Sequence, residues 1–544
     1  MAAVSEETPL LRAGHQDKKK LKADSVCDKV AVYGSFLGIL LAVADESIVL
    51  STWSVIASDF HRLSQGWWLL AAYNLGWCVS LPVYGTLCNI YGRKNVFVSA
   101  YGLFAAGCLA CGTSTSMLQL VLARVLTGVS AGGMVSLVSV ILTDMVPADQ
   151  VTLLRSYANV FIIVGRSVGA PLGGYLIGAV GWRWSFIGQL PVVAICLLIG
   201  LYGLPPSLNS TKTGDADDGD TQHSIMDLDF AGLVSFSVTT FLLFCLIQEL
   251  SVTPNSPEIP LTILVPVFCA AAILFIVIEA YWARTPLIQL RLMKTSLGGF
   301  CLNRIMMSSG RLGLISNLAP YLIRVKGATS LLAALAFVLA AIGVPIGALI
   351  AGKIIKKTKR YRTMAVIAVC GTVITYLLIF IRWRTGSNLW ELVYLLPNGM
   401  AIGILLTTQF IGMSLSAPNE DLPTCIATYY LAQQLGNIIG PAVNVAVVQR
   451  IFVGQLEKFL NGWNERKVYS PTYMTLYDLD ANRSDQLIGQ ILNDDTFAQS
   501  LSPVVQKFVR WSYLNAFQLV PLISAACALI MLPTVLWMKE EKFR

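Results

Sequence analysis

Continuous apolar stretches, separated by short polar ones, recur from residue 30 almost to the end of the chain. They fall at roughly 30–56, 67–88, 96–113, 117–142, 158–180, 186–204, 229–250, 261–282, 297–323, 328–352, 364–382, 390–414, 425–451 and 513–537. Most approach or exceed the ~20 residues that a helix needs to cross a hydrocarbon core about 30 Å thick. They lack the period-two alternation of barrel strands. The pattern therefore predicts an all-α polytopic membrane protein of about fourteen transmembrane helices. An even number puts both chain ends on one side. The basic loops "GRKN" (Gly92–Asn95) and "KIIKKTKRYR" (Lys353–Arg362) fall on that side, which the inside-positive rule makes cytosolic.

The polar segments divide the chain. Residues 1–29 read as a cytosolic tail, 30–204 as a six-helix half, and 205–228, acidic and rich in Gly, Ser and Thr, as a cytosolic linker. Residues 229–282 then form two inserted helices, 297–537 a second six-helix half with a lumenal loop at 452–512, and 538–544 a cytosolic tail. A short internal echo favours two related halves: "VGRSVGAPLGG" (Val164–Gly174) resembles "LGNIIGPAVN" (Leu435–Asn444). Related halves around a midplane site are the plan of many secondary transporters. Asn482, in the sequence Asn-Arg-Ser, is a glycosylation site on the lumenal side, whereas Asn209-Ser-Thr is hidden in the cytosol.

Composition narrows the class. Of 544 residues, 55% are hydrophobic and 13% charged, against about 25% charged in soluble domains, so a soluble reading fails. Lys18, Lys19, Lys20 and Lys22 beside the first run read as an anchor at the cytosolic lipid surface, and no nucleic-acid partner is indicated. Cys78, Cys108, Cys111, Cys196, Cys245, Cys269, Cys301, Cys370 and Cys527 lie in apolar runs, and the 3 histidines in the tail or loops, so neither a metal site nor a cofactor is expected. No nucleophile elbow, phosphate loop or intramembrane histidine cluster points to an enzyme. No filter sequence points to a channel. "EETPLL" places Glu6 four residues before Leu10 and Leu11, the form of an acidic di-leucine signal that a sorting adaptor reads for delivery to the vacuole, although so short a pattern also arises by chance.

The candidate chemistry is the charge inside the runs. Asp45, Glu46, Arg124, Arg166, Arg304 and Arg311 all lie within predicted spans. A charge at a bilayer centre costs roughly 2.5–3.5 kcal/mol on insertion scales, so such residues face protein or water and mark pathways. Adjacent helix positions point about 100° apart, so Asp45 and Glu46 cannot face one cavity equally. Asp45, on a stripe with Val49, Thr52 and Ile56, is the candidate for binding a proton or a substrate amine. Glu46 is either a second such group or the partner of an intramembrane arginine. Gln433, Gln434, Asn437 and Asn444 form a polar stripe on the thirteenth run, facing the same cavity.

Several motifs resemble the major facilitator superfamily, specifically its fourteen-span drug:proton antiporter branch, across about residues 30–537. "GTLCNIYGRKN" matches the family's loop between spans two and three through Gly85, Leu87, Gly92, Arg93 and Lys94, with Asn89 where the usual Asp stands. The resemblance implies a conformational latch pairing that loop with an acid at the end of span four, here Asp144. The alternative is a merely basic loop. "LARVLTGVSAGG" places Arg124 where the family has an arginine linked to proton movement, a structural arginine being the rival reading. "GRSVGAPLGG" resembles the antiporter motif through Gly165, Gly169, Pro171, Gly173 and Gly174, which implies export from the cytosol. "AVADESIV" aligns Asp45 with the aspartate of the branch's first span.

The arginines fit a zwitterion better than a lipophilic cation, and "ADESIVLSTWSVIASDF" with the di-leucine tail looks closest to fungal vacuolar basic amino acid transporters. The implied protein is a proton-coupled exporter of basic amino acids or related small organic cations into the vacuole. Its partners would be a small-molecule substrate, protons and membrane lipid. The alternatives are a plasma-membrane drug or toxin pump and a non-transporting nutrient sensor.

Overall fold

The structure, a computed structural model, describes residues 26–145, 148–205, 230–251, 261–282, 290–294, 296–358, 360–385, 389–417, 422–466, 488–492 and 503–537. Among these residues there is no strand. A first bundle holds α1 (Val26–Asp59), α2 (Trp68–Tyr91), α3 (Arg93–Gly112), α4 (Met117–Met145), α5 (Ala148–Ala179), α6 (Trp184–Ile187) and α7 (Leu190–Leu198). The helices α8 (Phe230–Ser251) and α9 (Leu261–Val277) follow. A second bundle holds α10 (Leu290–Met293), α11 (Ser296–Lys326), α12 (Ser330–Thr358), α13 (Arg362–Arg382), α14 (Leu395–Ser416), α15 (Leu422–Arg466), α16 (Pro503–Phe517) and α17 (Leu519–Trp537).

Among the described residues, eleven stretches are long and apolar enough to cross a membrane. The second, seventh and ninth apolar runs also form helices, of 24, 22 and 31 residues. The ninth misses the apolar criterion for a physical reason. Asn303, Arg304, Ser308, Ser309, Arg311 and Asn317 give α11 an interior-facing polar content that a lipid-facing helix lacks. Large side chains such as Leu118, Leu122, Ile273, Leu349 and Ile381 stand exposed on the outside, where a hydrocarbon layer is their solvent. Two boundaries differ from the sequence expectation. The helix of the thirteenth run continues to Arg466, and α16 begins at Pro503, so both ends of the expected 452–512 loop are helical.

Glycines set how closely the helices lie. A β-carbon on Gly165 would sit 2.7 Å from the Leu40 carbonyl oxygen, and one on Gly169 would sit 2.5 Å from that of Ala44. Nothing but glycine lets α5 rest on α1 this way. The second bundle repeats the device: at Gly436 the distance is 2.6 Å to the Ile305 oxygen, and at Gly440 2.3 Å to that of Ser309, which seats α15 on α11. A second pair of seams matches too. Gly76 and Gly128 join α2 to α4, while Gly343, Gly347, Gly399 and Gly403 join α12 to α14.

The bundles meet at one end. There the Trp53 indole Nε1–H donates to the Ser316 carbonyl at 2.9 Å, and Gln449 donates to the Ser64 carbonyl at 3.2 Å. Gly174 lies against Ser330 and Ala334. Trp53, Asn317, Arg324, Gln449, Phe452 and Tyr513 leave a cavity of about 20 Å³, room for one water. These contacts lie at the end opposite Arg93, Lys94 and the Lys353–Arg362 loop. The pair α8–α9 sits outside, with Trp68 6.0 Å from Phe241 and Phe236 5.7 Å from Phe275 between ring centres.

Candidate functional site

The two adjacent carboxylates of α1 occupy different environments, as their angular separation requires. Asp45 points inward and is fully buried. Its Oδ2 accepts from Arg124 Nη1 at 2.5 Å, and its Oδ1 from Gln189 Nε2 at 3.1 Å. Arg124, also fully buried, donates through Nε to the Leu69 carbonyl at 3.4 Å. Its guanidinium lies 4.3 Å from the centre of the Tyr73 ring and 5.8 Å from that of Phe186. The Tyr73 hydroxyl in turn donates to the Ala42 carbonyl at 2.7 Å. The result is a dry ion pair inside the first bundle. Removing one partner of such a pair leaves a buried charge, which is strongly destabilising.

Glu46 faces the other way. Arg166 Nη2 on α5 lies 3.6 Å from Glu46 Oε2, with side-chain exposures of 35% for the arginine and 11% for the glutamate. That separation exceeds the 2.7–2.9 Å of a charge-assisted hydrogen bond, so the pair is open. Of the two readings open for Glu46, the geometry shows the arginine partner. Both pair with arginine; Glu46 is buried but keeps 11% side-chain exposure, while Asp45 is sealed along with Val49, Thr52 and Ile56.

In the second bundle, Arg304 and Arg311 share α11 as expected but have different surroundings. Arg304 donates to the Gln433 side-chain oxygen and stands 4.9 Å over the Tyr429 ring. Arg311 is half-buried and has no hydrogen bond or ion pair among the described residues, although the charges of Glu46, Arg166 and Arg304 act on it electrostatically. The polar stripe of α15 is divided, Gln433 meeting Arg304 while the other amides are buried. Asn437 and Gln434 are buried and bond to each other at 2.6 Å, and Asn444 donates to the Gly440 carbonyl while filling the space over Gly313. Asn444 thereby packs α15 onto α11.

The remaining predicted residues are placed as follows. Gly92 ends α2 with φ 81°, a left-handed turn that glycine allows at low cost, and α3 starts at Arg93. Lys94 donates to the Leu204 carbonyl at 2.8 Å, tying that loop to the end of the sixth span. Gly85 and Asp144 lie in α2 and α4, but their surroundings, like Leu10, Leu11 and Asn482, are outside the described residues. Gly173 meets Ile48 and Thr52, and Pro171 sits inside α5. Sequence reasoning missed Tyr73 and Gln189. Gln189 left a signal, a lone amide in the apolar run "IGQLPVV", whereas an aromatic ring in a span leaves none.

A family model described as Major Facilitator Superfamily matches residues 35–441. The vacuolar membrane amino acid uptake transporter fnx2 of Schizosaccharomyces pombe is 29% identical over 78% of this chain and 73% of its own length. Vacuolar basic amino acid transporter 2 of Saccharomyces cerevisiae is 26% identical over 82% of this chain and 92% of its own. Multidrug resistance protein fnx1 of Schizosaccharomyces pombe is 25% identical over 89% and 87%.

Proposed function

The chain belongs to the Major Facilitator Superfamily, and from that premise we propose that it is a proton-coupled transporter carrying amino acids, basic ones among them, from the cytosol into the vacuole. The observation that carries this reading is the pairing of both α1 carboxylates with arginine, one pair dry and one open. A proton arriving on Asp45 cancels its charge and leaves Arg124 to the Tyr73 ring, the Leu69 carbonyl and Thr127. The two protonation states then differ in how firmly α1 is held to α4. A ligand or proton shifts a conformational equilibrium only through such a difference. Contacts between the bundles at the Trp53–Ser316 end leave the route to Glu46 from the basic-loop side, which the inside-positive rule makes cytosolic. Gly165 and Gly169 let α1 and α5 move as one unit through the cycle.

The relatives named for amino acids at the vacuole support the cargo and the membrane. The multidrug relative favours a second reading, a lipophilic-cation exporter at the plasma membrane. Against it, Glu46 is outnumbered by Arg166, Arg304 and Arg311, a poor setting for a bare cation. The test is ATP-driven uptake of labelled lysine and arginine into vacuolar vesicles from wild-type and deletion cells, with and without an uncoupler. Uptake that needs both the gene and the proton gradient is expected, and equal uptake in both strains refutes the assignment. Replacing Leu10 and Leu11 by alanine moves a fluorescent fusion to the plasma membrane if "EETPLL" is the address.

A further inference from the structure

The glycine seams establish which residues of the two bundles are counterparts. Gly165 and Gly436 rest on Leu40 and Ile305, while Gly169 and Gly440 rest on Ala44 and Ser309. Leu40 thus corresponds to Ile305 and Ala44 to Ser309. Two residues further along α1 is Glu46, and two further along α11 is Arg311. The same register matches Asp45 with Gly310 and Arg166 with Asn437. Equivalent positions of two like-oriented bundles lie at the same depth and face each other across the axis that relates them. Here those positions carry opposite charges.

Neither charge makes a close charge-assisted hydrogen bond. Glu46 is held by Arg166 at 3.6 Å, and Arg311 has no bonding partner among the described residues. The helices that carry them, α1 and α11, are in contact. Arg304, seven residues along α11 and about 10 Å away by helical rise, is already engaged by Gln433 and Tyr429.

We propose that Glu46 and Arg311 together seat the head group of an α-amino acid, Glu46 taking the ammonium and Arg311 the carboxylate. The proposal rests on the transport reading above and assigns the substrate poles within that site. A planar guanidinium presents paired N–H donors that match both oxygens of a carboxylate, which a lysine cannot do. The incoming ammonium replaces Arg166 on Glu46. The charge balance makes the carboxylate the required group. Glu46, Arg166, Arg304 and Arg311 sum to two excess positive charges, so a bare amine adds a third and an amino-acid head adds none. The clamp reads the part that all α-amino acids share, so basic and neutral side chains are both accepted.

The experiment is ligand binding to the purified full-length protein in nanodiscs, read as displacement of labelled lysine. The competitors are lysine, lysinamide (no carboxylate charge), 6-aminohexanoate (no α-amine), cadaverine (neither) and leucine. The expected result is competition by lysine and leucine, with lysinamide, 6-aminohexanoate and cadaverine each weaker by at least tenfold. In Arg311→Gln the gap between lysine and lysinamide closes, while Arg311→Lys restores part of it. Lysinamide that competes as well as lysine in the wild-type protein overturns the assignment of poles and leaves the transport reading standing. If labelled lysine does not bind but a lipophilic cation stabilises the protein, both readings fall together. The wild-type panel decides the matter even if a variant fails to fold.

Discussion

The α1–α5 seam and the α11–α15 seam use the same glycine spacing, yet the first carries two carboxylates and the second carries none. Leu40, Ala44, Gly165 and Gly169 have their counterparts in Ile305, Ser309, Gly436 and Gly440. Just beyond Ala44 and Ser309, however, Asp45 answers to Gly310 and Glu46 to Arg311, and α15 has no acid before Glu457. The comparison separates scaffold from chemistry. Close approach of backbones needs glycine in both bundles, so that pattern is kept. The first bundle keeps an acid at Asp45, while its twin position at Gly310 lies against the Ser524 backbone, and the Ser524 hydroxyl donates to the Gly310 carbonyl at 2.8 Å.

Asp45→Asn is the hardest blow to this asymmetry. It leaves Arg124 fully buried without a counter-charge, a loss of roughly 3–5 kcal/mol where buried pairs have been broken. Proton-driven transport is expected to vanish and the melting temperature to fall. Adding Arg124→Gln recovers melting temperature without transport. A variant that melts like the wild type would mean the pair is not closed in the working protein. Asp45 has no exposed surface, so no solvent compensates the lost charge.

Next in size are Gly169→Leu and Gly440→Leu, which test the shared part. Each drives a side chain into a carbonyl oxygen 2.5 Å or 2.3 Å from the β-carbon position. Both are expected to block assembly and trap the protein in the endoplasmic reticulum. Harm from only one of them would end the equivalence of the seams.

Glu46→Gln should be gentler. Its side chain is 11% exposed and its partner lies 3.6 Å away, so the fold survives. The KM for lysine rises about tenfold, equivalent to ~1.4 kcal/mol. An unchanged KM removes Glu46 from the binding site.

The smallest effect concerns orientation alone. The sequence-based topology, in which two inserted spans preserve the direction of the second bundle, predicts Asn482 in the lumen and Asn209 in the cytosol, both outside the described residues. Asn482→Gln should shift gel mobility as much as deglycosylation does, with transport untouched. Asn209→Gln should shift nothing, and the reverse result would turn one bundle over relative to the other.

Much of this was legible in the sequence because membrane crossing and backbone approach leave regular marks. The apolar runs become helices, and "VGRSVGAPLGG" and "LGNIIGPAVN" become the two α5-like seams. Who pairs with whom was not legible. Asp45 and Arg124 are 79 residues apart, and Glu46 could have met any of four arginines. The extension of α15 to Arg466 was hidden because "GQLEKFLNGWNER" is polar enough to read as loop. Asn444 looked like a cavity residue because a lone amide in a span signals function and packing in the same letters.

The hydrogen bond from Trp53 to the Ser316 carbonyl also has an optical consequence. That indole is 4% exposed where the bundles close, so it emits from a shielded, hydrogen-bonded site. When the bundles part, water reaches the ring and its fluorescence shifts to longer wavelength. The difference in emission between the wild type and Trp53→Phe isolates this one chromophore among 12 tryptophans. The molecule thus carries its own dye at the closure between its two bundles.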